Sequence, residues 1–134
     1  MDRIAVVGAG LIGRAWSMVF ARAGLEMRLW DKVPGVAESA MAVIRERLAD
    51  LRAAGLVQEA PDVIAARITP CATLAECVEG AMHVQENGPE RLAPKQELFA
   101  ALDRLCPPDV VLASSTSGIP ASEFTGNLAG RARC

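Results

Sequence analysis

Three glycines, Gly8, Gly10 and Gly13, stand in the spacing G-x-G-x-x-G within the run Gly8-Ala9-Gly10-Leu11-Ile12-Gly13. The pattern alone is common. Here it directly follows an apolar, β-branched run, Arg3 to Val7, and opens a segment with helical spacing. The chemistry such a turn serves is the binding of a pyrophosphate. A glycine at 8 permits a tight turn out of the strand. One at 10 lets a phosphate approach the backbone with no Cβ in the way, and one at 13 lets the helix lie close on the strand. The free N–H groups and positive end of the helix then face the anion, with Leu11 and Ile12 in its first turn. Asp31 follows 18 residues after Gly13, at the end of a second apolar run. A carboxylate there accepts hydrogen bonds from the ribose hydroxyls of an adenosine and repels a 2′-phosphate, so NAD is expected in preference to NADP. Flavin adenine dinucleotide proteins share the fingerprint, and a glycine turn without a ligand is the plain structural alternative.

In open sheets of alternating strands and helices, ligands lie beyond the carboxyl ends of the strands. Two further segments fall there, Glu86-Asn87-Gly88-Pro89-Glu90 and Ser114-Ser115-Thr116-Ser117-Gly118. Both are rich in hydrogen-bonding groups where a nicotinamide half would lie, and Asn87 is a candidate cofactor contact. The serines serve equally well as ordinary loop chemistry capping a helix near Pro120. The sole histidine, His83, falls in a strand and is read as structural. Cys71, Cys77, Cys106 and Cys134 include no C-x-x-C pair, so no metal site is expected and the thiols are read as reduced. The apolar run behind Arg3 looks like an export signal. It is flanked by the acidic Asp2 and broken by Arg14. No apolar run reaches the roughly 18 residues of a membrane span. A cytoplasmic protein with no membrane partner is the expectation.

The elements that must position these groups are legible in outline. Leu11, Ile12, Ala15, Trp16, Val19 and Phe20 keep helical spacing up to Gly24. Met27 to Trp30 reads as a strand, and Val36 to Leu51 as a long helix stopped by Gly55. Pro61 opens a helical turn, Arg67 to Cys71 reads as a short strand, and Leu74 to Val78 as a short helix. Ala81 to Gln85 reads as a strand. Pro89 and Pro94 frame a turn into a helix carrying Leu98, Phe99, Leu102 and Leu105. Val110 to Ala113 is a last strand, with a helix starting in Ile119 to Phe124. The alternation predicts an α/β fold: a doubly wound parallel sheet with helices on both faces, the Rossmann class, in a single domain over residues 1–134. The 134 residues are 51% hydrophobic and 22% charged, enough for one core and incompatible with disorder. A net charge of −2, with no tyrosine and few aromatics, gives no footprint for nucleic acid.

Several stretches together resemble the NAD-binding domain of the 3-hydroxyacyl-CoA dehydrogenase family. They are Val7 to Trp16, Glu79 to Glu86, Pro89-Glu90 through Lys95, and Ser114 to Ser117. The likeness is strongest to the lambda-crystallin, or L-gulonate 3-dehydrogenase, branch. The L-carnitine dehydrogenases come next, and Gln85 to Arg91 is especially like theirs. The resemblance implies that Gly8, Gly10, Leu11, Ile12 and Gly13 form the phosphate loop and Asp31 the ribose-binding acid. It implies that Glu90 and Lys95 contact the cofactor, that Ser117 helps hold the substrate's 3-oxygen as a catalytic residue, and that Ser115 stands where the acyl-CoA enzymes carry an asparagine.

By ungapped count Arg47 and Ala54 replace the Ser and Lys that meet CoA in those enzymes, which favours a small free hydroxy acid such as L-gulonate. L-Carnitine and a 3-hydroxyacyl-CoA are the alternatives. The family's H-P-x-N-P segment, whose histidine is the general base, would begin about four residues after Cys134 by that alignment to the family. The helical dimerisation domain would follow it. The expectation is therefore an NAD-binding domain of a homodimeric dehydrogenase, itself without turnover and with an apolar surface around the last strand and Ile119–Phe124. A stand-alone NAD-binding or structural module is the reading of another class.

Overall fold

The computed structural model describes residues 2–134. Strand β1 (Arg3–Val7) leads through the glycine turn into helix α1 (Leu11–Arg22). Strand β2 (Glu26–Trp30) is followed by the long helix α2 (Val36–Ala53), the short helix α3 (Pro61–Ala65) and strand β3 (Ile68–Pro70). Helix α4 (Leu74–Val78) returns the chain to strand β4 (His83–Glu86), and helix α5 (Leu92–Leu105) leads to strand β5 (Val111–Ser114). Helix α6 (Ala121–Thr125) and a 3-10 turn, Arg131–Arg133, complete the structure.

The five strands are all parallel in the order β3-β2-β1-β4-β5. Val7 is level with Trp30 on one side and Glu86 on the other, so the carboxyl ends of the central strands form one rim. Side chains alternate across the sheet and build a core on each face. Ile4, Val6, Met27 and Leu29 pack with Ile44 and Leu48 of α2. Ala5, Val7, Val84 and Leu112 pack with Phe99 and Leu102 of α5. Connections run outward in both directions from β1, so the rim opens into a crevice between β1 and β4. No helix among the described residues is long and apolar enough to cross a membrane.

The fold class is the expected one, and several boundaries differ. β4 begins at His83, not Ala81, because Ala81 donates to the Val78 carbonyl and is still part of the turn closing α4. The strand runs on to Glu86, one residue past the expected end at Gln85. β5 likewise starts one residue late, since Val110 donates to the Pro107 carbonyl. Pro94 lies inside the first turn of α5 and not before it; its missing N–H is one that no helical carbonyl would have met. Phe124 is no exposed patch: it packs 4.8 Å from Phe99, ring centre to ring centre. The exposed large apolar side chains near the β5 edge are Met82 and Val111.

Candidate dinucleotide site

The three glycines of the turn answer three different demands. Gly8 has φ +95°, in the left-handed region, and a Cβ on it would lie 2.7 Å from the Asn87 carbonyl oxygen. A Cβ on Gly13 would lie 1.7 Å from the Gly8 carbonyl oxygen, because α1 crosses directly over the turn. Gly10 has nothing within 4 Å of that position, so the space above it is open. The N–H groups in the first turn of α1 have no carbonyl partner within the helix. No acidic side chain lies in that turn and no side chain caps it, so the donors face outward. Leu11 and Ile12 are 73% and 51% exposed beside them.

Asp31 closes the turn from the end of β2. Its Oδ2 accepts from the Ala9 N–H at 2.8 Å and its Oδ1 from the Val33 N–H at 2.9 Å. A carboxylate has roughly four acceptor sites, so about half of its capacity remains. A cavity of about 780 Å³ runs along the rim from Asp31 past Gly8 and Gly10 to Asn87. Its far wall is apolar, made by Val33, Leu74, Leu98 and Ala101. These wall residues escaped sequence reading. Leu98 carried the same helical signal as the core residues of α5, and only its half exposure at the cavity distinguishes it. A cradle open at Gly10, donors without partners and an apolar slot beside an acid fit a dinucleotide.

The nicotinamide side contains an ion pair that sequence reading missed. Glu86 is fully buried, and its Oε1 accepts from Lys95 Nζ at 2.7 Å and from the Gly88 N–H at 2.8 Å. The Ser114 hydroxyl donates to the other oxygen. Lys95, 2% exposed, thus spends its charge on Glu86 while still lining the cavity. Glu90 grips the loop after β5. It accepts from the Thr116 hydroxyl at 2.6 Å, from the Ser117 N–H at 2.7 Å and from the Ser117 hydroxyl at 3.2 Å. The Ser117 N–H first, then the Thr116 hydroxyl, hold its carboxyl down at about 2. Ser117 itself is exposed, with lone pairs free to accept.

Ser115 and Asn87, expected as cofactor contacts, are bonded to each other: the Ser115 hydroxyl donates to Asn87 Oδ1 at 2.6 Å. His83 sits in β4 against Phe20 of α1, away from Ser117 in the loop after β5. Among the described residues, no three His, Cys, Asp or Glu side chains cluster as metal ligands.

A doubly wound sheet with an anion-ready glycine turn, an acid after β2 and a cavity at the strand reversal defines a dinucleotide-binding domain. The chain belongs to the 3-hydroxyacyl-CoA dehydrogenase family: the family's NAD-binding domain matches residues 3–134, and NAD is the cofactor. It is 39% identical over 133 residues to the lambda-crystallin homolog of Bos taurus, covering 98% of this chain and 41% of that protein. It is 37% identical over 131 residues to an L-carnitine dehydrogenase of Streptomyces coelicolor, covering 98% and 40%. The 3-hydroxybutyryl-CoA dehydrogenase of Escherichia coli superposes with a TM-score of 0.91 at 28% identity, covering 98% of this chain and 28% of that one. The chain thus spans about two fifths of the curated relatives' length.

Proposed function

We propose that this chain is the cofactor-binding part of an NAD-dependent dehydrogenase acting on the 3-hydroxyl of a small hydroxy acid. An L-gulonate-type substrate is favoured over L-carnitine or a CoA thioester, and the whole enzyme is a cytoplasmic homodimer. The observation that carries the reading is the phosphate turn with Asp31 fastened to it. The first-turn N–H groups after Gly10 would hold the pyrophosphate, with the exposed Leu11 and Ile12 in the same turn. The free lone pairs of Asp31 would accept the adenosine ribose hydroxyls, and the slot at Leu74 and Leu98 would take the adenine.

Bound there, NAD supplies the hydride acceptor. Ser117, held by its N–H on Glu90 at 2.7 Å, would give its hydroxyl proton to the substrate oxygen from the exposed end of the loop in place of the longer 3.2 Å bond to Glu90, leaving the substrate's own proton for the base. Lys95 acts from beneath through Glu86 and Glu90. The proton of the hydroxyl goes to a histidine that the family resemblance places after residue 134, since His83 lies in the sheet. Arg47, which by the ungapped count of the resemblance stands where the acyl-CoA enzymes carry a CoA contact, is bonded to Asp50 at 3.1 Å on the exposed face of α2, which favours the free acid over the thioester.

Titration calorimetry with NAD+ and NADP+ tests the cofactor assignment. NAD+ is expected to bind at least ~10-fold tighter, because a charge-assisted ribose bond is worth roughly 1.5–3 kcal/mol. Asp31→Asn should narrow the ratio. Equal affinities in the unaltered chain would sink the role of Asp31.

A further inference from the structure

A line of four polar side chains on the α1 face of the sheet is unused by this reading. Asn87 Nδ2 donates to the Gln85 carbonyl at 2.9 Å and faces the Val7 carbonyl at 3.4 Å. Two carbonyls can be met only by the amide nitrogen, so Asn87 Oδ1 must face Ser115. The Ser115 hydroxyl therefore donates to it, at 2.6 Å, and accepts from Gln85 Nε2 at 2.9 Å. Gln85 Oε1 then faces His83 Nε2 at 3.1 Å, and that nitrogen must carry a hydrogen. Every donor and acceptor in the series is set by two backbone carbonyls. Gln85 is 8% exposed, so water cannot replace it cheaply. The Asn87 N–H also bonds the Val7 carbonyl at 2.7 Å, which places the series at the junction of β1, β4 and the loop after β5.

We infer that Gln85, oriented by His83, is a positioning residue for the nicotinamide end of the site: through Ser115 and Asn87 it holds the loops after β4 and β5 in one arrangement against the end of β1. The inference rests on the proposed placement of the nicotinamide at those loops. The series has one direction, and both side-chain amide hydrogens of Asn87 and the hydroxyl proton of Ser115 are already committed. Neither Asn87 nor the Ser115 proton is therefore offered to a ligand, and their contribution is the shape of the loops. The neutral Nε2–H tautomer and the imidazolium both supply the hydrogen that Gln85 needs, so the series needs no change of charge on His83.

The test compares two probes on the chain as it stands. ADP-ribose uses the phosphate turn and the adenosine slot, whereas NADH also uses the nicotinamide end. Gln85→Glu is nearly isosteric and cannot donate to Ser115. It should weaken NADH by about 3- to 10-fold, the worth of one or two hydrogen bonds, and reduce the NADH fluorescence enhancement. ADP-ribose affinity should stay within about 2-fold, well under the ~1.4 kcal/mol of a tenfold change. His83→Leu, at a less buried position, should do the same, and His83→Gln, which keeps an N–H donor, should restore NADH binding. Equal weakening of both probes overturns the positioning role, as does failure of His83→Gln to restore what His83→Leu loses. If the unaltered chain binds ADP-ribose as tightly as NADH with no fluorescence change, the placement of the nicotinamide falls, and the inference with it.

Discussion

Alanine at Gly13 and alanine at Gly10 should fail in opposite ways, although both belong to one motif. At Gly13 the new Cβ would sit 1.7 Å from the Gly8 carbonyl oxygen, where real contacts do not fall below 3.0 Å. The atom met is backbone, so α1 or the turn must move by more than an ångström. Overpacking of this kind costs about 2–3 kcal/mol. For a chain of this size a kcal/mol is worth about 3.5 °C, so Tm should fall by roughly 7–11 °C. At Gly10 the Cβ meets nothing within 4 Å, and the backbone (φ −73°, ψ −166°) suits any residue. Gly10→Ala should leave Tm unchanged or raise it by up to about 3 °C, since alanine stabilises a compatible site by ~0.4–1 kcal/mol. Its cost falls on the ligand. One backbone N–H bond lost to a charged phosphate, about 1.5–3 kcal/mol, is roughly 10- to 150-fold in Kd. Differential scanning calorimetry and NAD+ titration on the two variants check both halves. If Gly10→Ala unfolds the chain, or if it binds NAD+ normally, the division of labour among the glycines is wrong.

Lys95→Met should be among the most damaging single changes outside the turn, because it leaves the Glu86 carboxylate buried without its cation. A cost of about 3–5 kcal/mol, or roughly 10–17 °C in Tm, is expected. The double change Lys95→Met with Glu86→Gln should recover most of it, and a double variant no more stable than the single one would contradict the account. Glu90 makes a pH prediction. Its carboxyl is held at about 2, below its ordinary 4.5, so the ionised form favours the folded loop. That contribution is complete above about 4.5 and lost as the pH falls through about 2. The amide resonance of Ser117 should titrate near the lower value, and a midpoint near 4.5 would show that Glu90 does not hold the loop.

The geometry of the turn was legible in the residue order because it is local. A strand, a glycine turn and a helix lie within 20 consecutive residues, and the positions of Gly8, Gly10 and Gly13 follow from that short stretch. Asp31 was legible for a similar reason, as the residue after the next strand. Fold class came from the alternation of periods, which parallel pairing with helical crossovers must produce. What tertiary structure alone decided is which polar groups are spent on one another. Lys95 and Glu90 are five apart and resemble a pair of cofactor ligands, yet one lies under the site on Glu86 and the other grips Thr116 and Ser117. That outcome hangs on strand register. Reading β4 as ending at Gln85 left Glu86 in a loop. In the sheet Glu86 is level with Val7 and Ser114, on the face opposite to Gln85, and α5 brings Lys95 onto it. Successive strand residues point to opposite faces, so a boundary misplaced by one residue changes which side chains can meet. The register between β1, β4 and β5 is set by packing between segments some 80 and 30 residues apart, and no local spacing encodes it.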